Sequence, residues 1–531
     1  MRIIAGATYR PVTAQVNARA PLCFGMSRFH MLLVPAAVAV GAPLAAQAPR
    51  PARLPPTARA AATITADDLI RQIGVIAHDS MLGRDTPSPG LEATARYVAA
   101  EFKRLGLRPG GDRGTFFQRY AITRRKLDVE RSAVVLRGSG EETRFPLSAR
   151  ARLAQGSVPS APLHGRLVLY GGALSAGDAA KVPFRDRIVL VVADETRNGT
   201  QALLRDLVLG GAGAILIPSG ADSATFAARL ALQARERTAV GVDDGQPPIL
   251  LLLGSALGQA LAPEGVDLAA TRAATTPVVR ELTDVSAELA LKEIVVASDS
   301  APNAIGVLEG SDPKLRHEYV LFTAHMDHIG VTPGVADSIN NGADDDASGT
   351  AGVIELAEAF SQPGARPRRS LVFMTVSGEE KGLWGSHYWS ERPTVPIKDV
   401  VANINMDMIG RNWADTIVAI GKEHSDLGSA LERVSRRHPE LRMTAIDDRW
   451  PDERFYFRSD HYNFARKGVP ILFFFNGVHE DYHQPSDEIS KVNADKEARI
   501  LRLVFYLGTE VANTTARPRW NPESYREIVE E

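Results

Sequence analysis

The chain has 531 residues, 44% hydrophobic and 23% charged, with a formal net charge of −2 at pH 7. That length exceeds one usual domain, and the absence of a basic excess argues against nucleic acid or an anionic membrane as the main partner. The only cysteine, Cys23, precedes the mature chain expected below, so neither disulfides nor thiolate metal ligands are available there and any metal must sit on histidine and carboxylate.

In chain order, residues 1–48 read as a signal region. Met26, Arg28 and His30 form a weakly basic start, MLLVPAAVAVGAPLAA is the apolar stretch, and Ala46-Gln47-Ala48 fits a small-x-small cleavage site. Pro35, Pro43 and the limited length weigh against a membrane anchor. Residues 1–25 do not fit the start of a signal, which places the expected start at Met26 or Met31. The mature protein is expected to be soluble, secreted or periplasmic, and without a stable anchor. Residues 49–63 read as a Pro/Ala-rich linker.

Thr65 with Asp68 is a capping pattern for a helix carrying Leu69, Ile70, Ile73 and Ile76. A second amphipathic helix carries Ala95, Val98, Phe102 and Leu105, and strand-like alternation follows from Phe116 to about Leu136. Residues 64–136 are expected to form the first part of a catalytic domain that resumes at 285, a grouping that the resemblance given below implies. From 137 to 284 short β-like runs (RLVLYGG, RIVLVVAD, AGAILIPSG, PPILLLLGS) alternate with Gly-rich turns, and no catalytic constellation is seen. Residues 137–284 read as a separate small α/β module. No Gly-rich phosphate loop follows Val189 to Ala193, so nucleotide binding is set aside.

Residues 285–515 read as the second part of the catalytic domain, with 516–531 as a C-terminal tail. The apolar run Tyr319 to Ala324 predicts a buried strand that delivers His325, Asp327 and His328, and a loop leads on to Asp344, Asp345 and Asp346. Ser348 is the expected N-cap of the next helix. Carboxylates this closely packed repel one another unless a multivalent cation lies among them. Three further apolar strands each run into polar residues: SLVFMTVSG into Glu379 and Glu380, VVANINM into Asp407, and GVPILFFFNG toward Asp481, Tyr482 and His483. The spacer helices predict an open, mostly parallel α/β sheet flanked by helices, whose ligands gather beyond the carboxyl ends of the strands. His325, Asp345, Glu380, Asp407 and His483 supply two imidazoles and three carboxylates. That set suits zinc, cobalt or manganese and exceeds what one tetrahedral zinc takes, so a bridging carboxylate would give two metals three contacts each.

AHMDH, NNGADDDASG, SGEEKGLWGS, NMDMIG, RSDHYNF and DYHQPSDE resemble the motifs of the co-catalytic di-zinc aminopeptidases and their glutamate carboxypeptidase relatives, peptidase family twenty-eight. The resemblance is loose over Thr65 to Leu136 and good over Asp284 to Thr515, and the module between is similar to the protease-associated domain often inserted in this family. It implies two Zn(2+) per chain, one on His325, Asp345 and Asp407, the other on Asp345, Glu380 and His483, with a cis peptide after Asp345. Glu379 is then the general base for the bridging water, Asp327 the orienting partner of His325, and Tyr482 a donor to the oxyanion. The implied function is hydrolysis of the N-terminal bond of peptides. Carboxypeptidase, dipeptidase, aminoacylase-like and glutaminyl-cyclase-like chemistry stay open, as does a non-catalytic receptor-like scaffold. Direction turns on the acidic floor of Glu379, Asp346 and Asp407 against the arginines Arg411, Arg449, Arg454 and Arg458, which could hold a terminal carboxylate. Oligomeric state is not legible.

Overall fold

The computed structural model describes residues 54–530 except 195–197 and 242–245; the signal-like stretch and Cys23 lie outside the described residues. Thr65 caps the first long helix as expected, its Oγ1 accepting the Asp68 N–H at 3.1 Å. That helix, α1 (Ala66–Ile76), buries Leu69, Ile73 and Ile76. Outside residues 133–290, the other main helices are α2 (Pro89–Arg104), α3 (Gly349–Ser361), α4 (Trp384–Glu391), α5 (Asp426–Arg437) and α6 (Ala494–Asn513).

One sheet has ten strands. Its strands are β1 (Phe117–Leu127), β2 (Arg237–Val240), β3 (Glu293–Leu308), β4 (Tyr319–His325), β5 (Ser370–Val376), β6 (Val400–Met406), β7 (Thr416–Ile420), β8 (Thr444–Ile446) and β9 (Ile471–Phe475), with the two-residue Arg108–Pro109 paired to β3. The order is β8-β7-β9-β6-β4-β5-β3-β1-β2. The expectation of a mostly parallel sheet is corrected here, because the sheet is mixed. The central strands β9, β6, β4 and β5 are parallel, whereas β3, β1 and β2 are antiparallel, as is the β9–β7 contact. Helical crossovers impose the parallel centre. β1 and β3 instead lie side by side where the chain leaves for the second sheet and returns, which fixes them antiparallel.

Phe322, Phe360, Phe373 and Phe505 pack between the sheet and α1, α3 and α6, with Phe360 and Phe505 ring centroids 4.4 Å apart. Each such ring contributes about 1.5–3 kcal/mol through burial. The other face packs Trp389, Phe464, Phe473 and Phe475. The expected Pro/Ala linker and the expected C-terminal tail both contain folded elements. Pro56–Ala61 is a short helix with Ala60 and Ala61 buried, because proline at the first turn and small side chains suit close packing. At the other end Trp520 donates to Gly468 O at 2.9 Å and Ile528 is buried.

Between Ala133 and Ala290 a second, eight-stranded sheet has its own core, including Leu167, Leu190, Leu216 and Leu250. Its strand Val278–Ala290 leads directly into β3. β2 comes from this region yet pairs with β1, Val240 opposite Ile122. Among the described residues no helix is long and apolar enough to cross a membrane.

Candidate metal centre

Register brings the polar strand ends level. His325 ends β4 opposite Val376 of β5, and Met406 of β6 lies opposite Phe474 of β9. One or a few residues beyond those ends stand Glu379, Glu380 and Asp407. The parallel strands therefore present their carboxyl ends at one edge, where the cleft opens.

Of the three consecutive aspartates, only the middle one faces that cleft. Asp344 accepts the Gly410 N–H at 2.6 Å and lies 3.1 Å from His479 Nε2. Asp346 accepts N–H groups from His325, Gly349 and Met408 at 3.1, 2.9 and 3.1 Å. It is a brace for the loop, so it is removed from the expected acidic floor. The Asp345–Asp346 peptide is cis. A Cβ on Gly349 would stand 2.4 Å from Met406 O, so only glycine lets α3 start this close to the end of β6. Ser348 does not cap α3; its hydroxyl donates to Asp344 O and accepts from Ile409 N–H, tying the loop down.

Asp345 is flanked on both sides. Its Oδ1 is 3.3 Å from His325 Nε2, which is 3.5 Å from Asp407 Oδ1. Its Oδ2 is 3.2 Å from His483 Nε2, which is 3.0 Å from Glu380 Oε2. His328 approaches the same pair, with Nδ1 2.8 Å from Glu380 Oε1 and 3.7 Å from Asp345 Oδ2. Two overlapping donor sets result, His325–Asp345–Asp407 and His328–Asp345–Glu380, with His483 against the second. Asp345 Oδ2, His328 Nε2 and His483 Nε2 are buried without a hydrogen-bond partner. Asp345 Oδ2 and His483 Nε2 face each other across 3.2 Å, and His328 turns its other nitrogen, Nδ1, toward the same carboxylates, a convergence of donors that fits divalent cations.

Electrostatics agree with a site built around positive charge. Burial pushes Glu379 well above the ordinary carboxylate range, and the charges of Asp460, Asp407 and Glu380 add to this against the pull of His325. Against burial, the imidazoles of His325, His328 and His483 hold Asp345 well below it. Against burial, Asp345 and Glu380 raise His483 to about 10.

Sequence reading missed several supports. Asp327 is buried, but the His325 Nδ1 contact is to its backbone carbonyl at 3.2 Å, with the nearest carboxylate oxygen 3.8 Å away. The Asp327 carboxylate instead accepts from Thr86 Oγ1 at 3.0 Å and from the Glu379 N–H at 3.3 Å. Ser459 donates to Asp407 Oδ2 at 2.8 Å, and Asp487 accepts the N–H groups of Asp344 and Asp345. Arg84, fully buried, donates to the carbonyls of Met326, Ile76, Asn341 and Gly342. The RSDH motif flagged Ser459; nothing local marked Arg84 or Thr86. His461 stacks on Phe473 and contacts Tyr456 O at 2.8 Å, a structural position. Tyr482 lines the cleft beside His483, their ring centroids 3.8 Å apart. Phe473 and Phe475 are core on one side and cleft wall on the other.

Residues 303–508 match the model of Peptidase family M28. This region belongs to that family. The M28 region holds every residue of both donor sets together with His483, Glu379 and Asp327, while Arg84 and Thr86 reach in from outside it. A probable leucine aminopeptidase of Arthroderma otae is 29% identical over 221 residues, covering 40% of this chain and 58% of the relative. Aminopeptidase YwaD of Bacillus subtilis is 27% identical over 243 residues, 44% of this chain and 49% of the relative. The chain thus spans about half the length of these curated relatives. A solved aminopeptidase from Aneurinibacillus sp. strain AM-1 is 18% identical, with a TM-score of 0.43, covering 87% of this chain and 97% of that one.

Proposed function

We propose that this chain is a zinc-dependent aminopeptidase that hydrolyses the first peptide bond of peptides. The observation that carries the reading is the sharing of Asp345 between two donor sets at the sheet edge. His325, Asp345 and Asp407 would hold one zinc; Asp345, Glu380 and His483 would hold the other, with His328 against Glu380. Zinc, when bound, polarises the scissile carbonyl and lets water ionise near neutral pH.

The chain's own groups do the rest. Glu379 adjoins a ligand without belonging to either donor set, and burial makes its carboxylate a stronger base, suited to take a proton and return it to the leaving amine. The Asp327 carboxylate, by holding the Glu379 N–H, fixes where that base stands. Tyr482, on the cleft wall, is placed to donate its hydroxyl to the oxyanion. Glu379, Glu380 and Asp407 give a free α-amino group its counter-charge. Of the four arginines that could favour a carboxypeptidase, Arg411 is bound to Asp481 at 2.9 Å, Arg449 lies over Trp413 and Arg454 over Phe457. Only Arg458 lines the cleft.

We further infer that the second sheet is an inserted protease-associated module bordering the catalytic part, and that residues 26–48 direct export. The test is an aminoacyl-anilide paired with an N-acetylated peptide bearing a free C-terminus, each assayed before and after chelation and again after adding zinc. Cleavage of the anilide alone, lost on chelation and restored by zinc, is expected. Cleavage of the N-acetylated peptide alone would make the enzyme a carboxypeptidase, and full activity without metal would overturn the zinc reading.

A further inference from the structure

The cleft beyond the acidic centre has a wall of Met408, Phe455, Phe473, Phe475 and Val478, and in it a single Lys or Arg side chain, Arg458. Arg449 and Arg454 also rest on aromatic rings, but Arg458 is the one of the three whose ring partner and side chain both line the cleft. Arg458 reaches Glu453 Oε2 only at 3.3 Å, with side chains 52% and 61% exposed, so solvent screens that pair and leaves it weak. The guanidinium carbon stands 4.8 Å from the ring centroid of Phe455, itself part of the wall. A guanidinium resting on an aromatic face keeps its N–H edge free for a carboxylate while losing little freedom on binding. The adjacent residue is pinned, since Ser459 donates to Asp407 Oδ2 at 2.8 Å. Arg458 is therefore carried on a backbone anchored to the metal-ligand set, not on a loose rim.

We propose that Arg458 reads a carboxylate on the substrate, so that this enzyme prefers peptides bearing a negative charge close to the scissile bond. The inference rests on the aminopeptidase reading and adds its substrate class. A free α-amino group is drawn to the carboxylates of the centre and repelled by a guanidinium, so Arg458 meets another part of the same substrate. Three sources offer the same chemistry: the free C-terminus of a dipeptide, an acidic side chain on the first residue, or one on the second. A bidentate guanidinium–carboxylate contact satisfies all of them equally well in kind, and only cleft geometry selects among them.

The experiment compares Leu-Ala, Leu-Ala-amide, Glu-Ala-amide and Leu-Glu-amide on the zinc-loaded enzyme and on Arg458→Gln and Arg458→Lys. Binding of the same four peptides to zinc-loaded Glu379→Gln, with and without Arg458→Gln, is measured by calorimetry. In the parent, at least one carboxylate-bearing peptide should bind about tenfold or more tightly than Leu-Ala-amide, and which one does so identifies the source. Arg458→Gln should collapse that ratio, chiefly through KM, and Arg458→Lys should restore part of it. Equal binding of all four peptides, or a ratio that survives Arg458→Gln, overturns the proposal. An intact, Arg458-dependent binding ratio without turnover of any peptide would leave Arg458 as the carboxylate reader and overturn the aminopeptidase reading alone.

Discussion

His328 Nδ1 lies 2.8 Å from Glu380 Oε1, while His483 Nε2 lies 3.0 Å from the other oxygen of the same carboxylate. Glu380 is thus gripped from both sides, by one imidazole that is fully buried and one that is 34% exposed. His328→Ala should weaken one metal site by about 10- to 100-fold, as loss of an orienting or ligating partner does. The site on His325, Asp345 and Asp407 should persist. Metal content after dialysis against graded chelator reads this directly: retention of both ions to the parent's limit would remove His328 from the centre.

The neighbouring glutamates should part company. Glu379→Gln deletes a proton acceptor outside both donor sets, so turnover should fall by about 10²–10⁴ with both ions retained. Glu380→Gln removes a ligand charge, and one ion should be lost. Elemental analysis alongside kinetics separates the two; equal loss of metal in both variants would reverse the assignment.

Arg84 is a third case, standing behind the ligands and outside both donor sets. Its guanidinium satisfies four main-chain carbonyls around the loop that carries Asp345. Arg84→Met leaves those acceptors buried and unpaired, at about 1–3 kcal/mol for each one that finds no other donor. Urea unfolding of the metal-free protein should show a loss of several kcal/mol. A loss under about 1 kcal/mol would mean that water takes over the carbonyls.

Glu355, buried on α3 against Gln72, supplies a pH signature away from the metal ligands. Burial, then the charges of Asp68 and Glu358, raise its pKa from 4.5 to about 8 against the pull of Arg71 and the Gln72 hydrogen bond. Below 4.5 both folded and unfolded chains hold the proton. Between 4.5 and 8 only the folded chain does, so its contribution to stability is lost as pH rises through that window and is level above it. Glu355→Gln should remove the slope, gaining on the parent by the order of a few kcal/mol at pH 8 and nothing at pH 4. Parallel pH–stability curves would show that Glu355 is not the group responsible.

What could be read from the sequence was what repeats locally. The apolar runs of β4, β5 and β6 are each followed by a His, Glu or Asp, and that pattern pointed to His325, Glu379, Glu380 and Asp407, whereas Asp345 and His483 lie on loops and His328 was not singled out as a ligand. Arg84 and Thr86 were invisible because, Ile76 apart, the groups their side chains donate to stand more than 200 residues away, and their own segment, LGRDTP, looks like any loop. The division of labour among Asp344, Asp345 and Asp346 was also hidden, since three identical side chains are told apart only by which N–H groups surround them. β2 escaped notice for a plainer reason: four residues are too few to show a period.

Leu127 and Glu293 are cross-strand partners, so the chain departs from the first sheet and rejoins it at one seam. Such neighbours stand about 5 Å apart, a gap that a two-residue turn closes. An ancestral or engineered splice at that seam would need no long graft. It would, however, carry away Arg237–Val240, which shields the outer rim of β1 from Ile122 to Arg125. The shortened protein would keep its metal ligands and gain a bare strand whose N–H and C=O groups seek another chain. The segment between Leu127 and Glu293 acts as a stopper against fibre-like stacking, and its loss would register first as self-association at rising concentration.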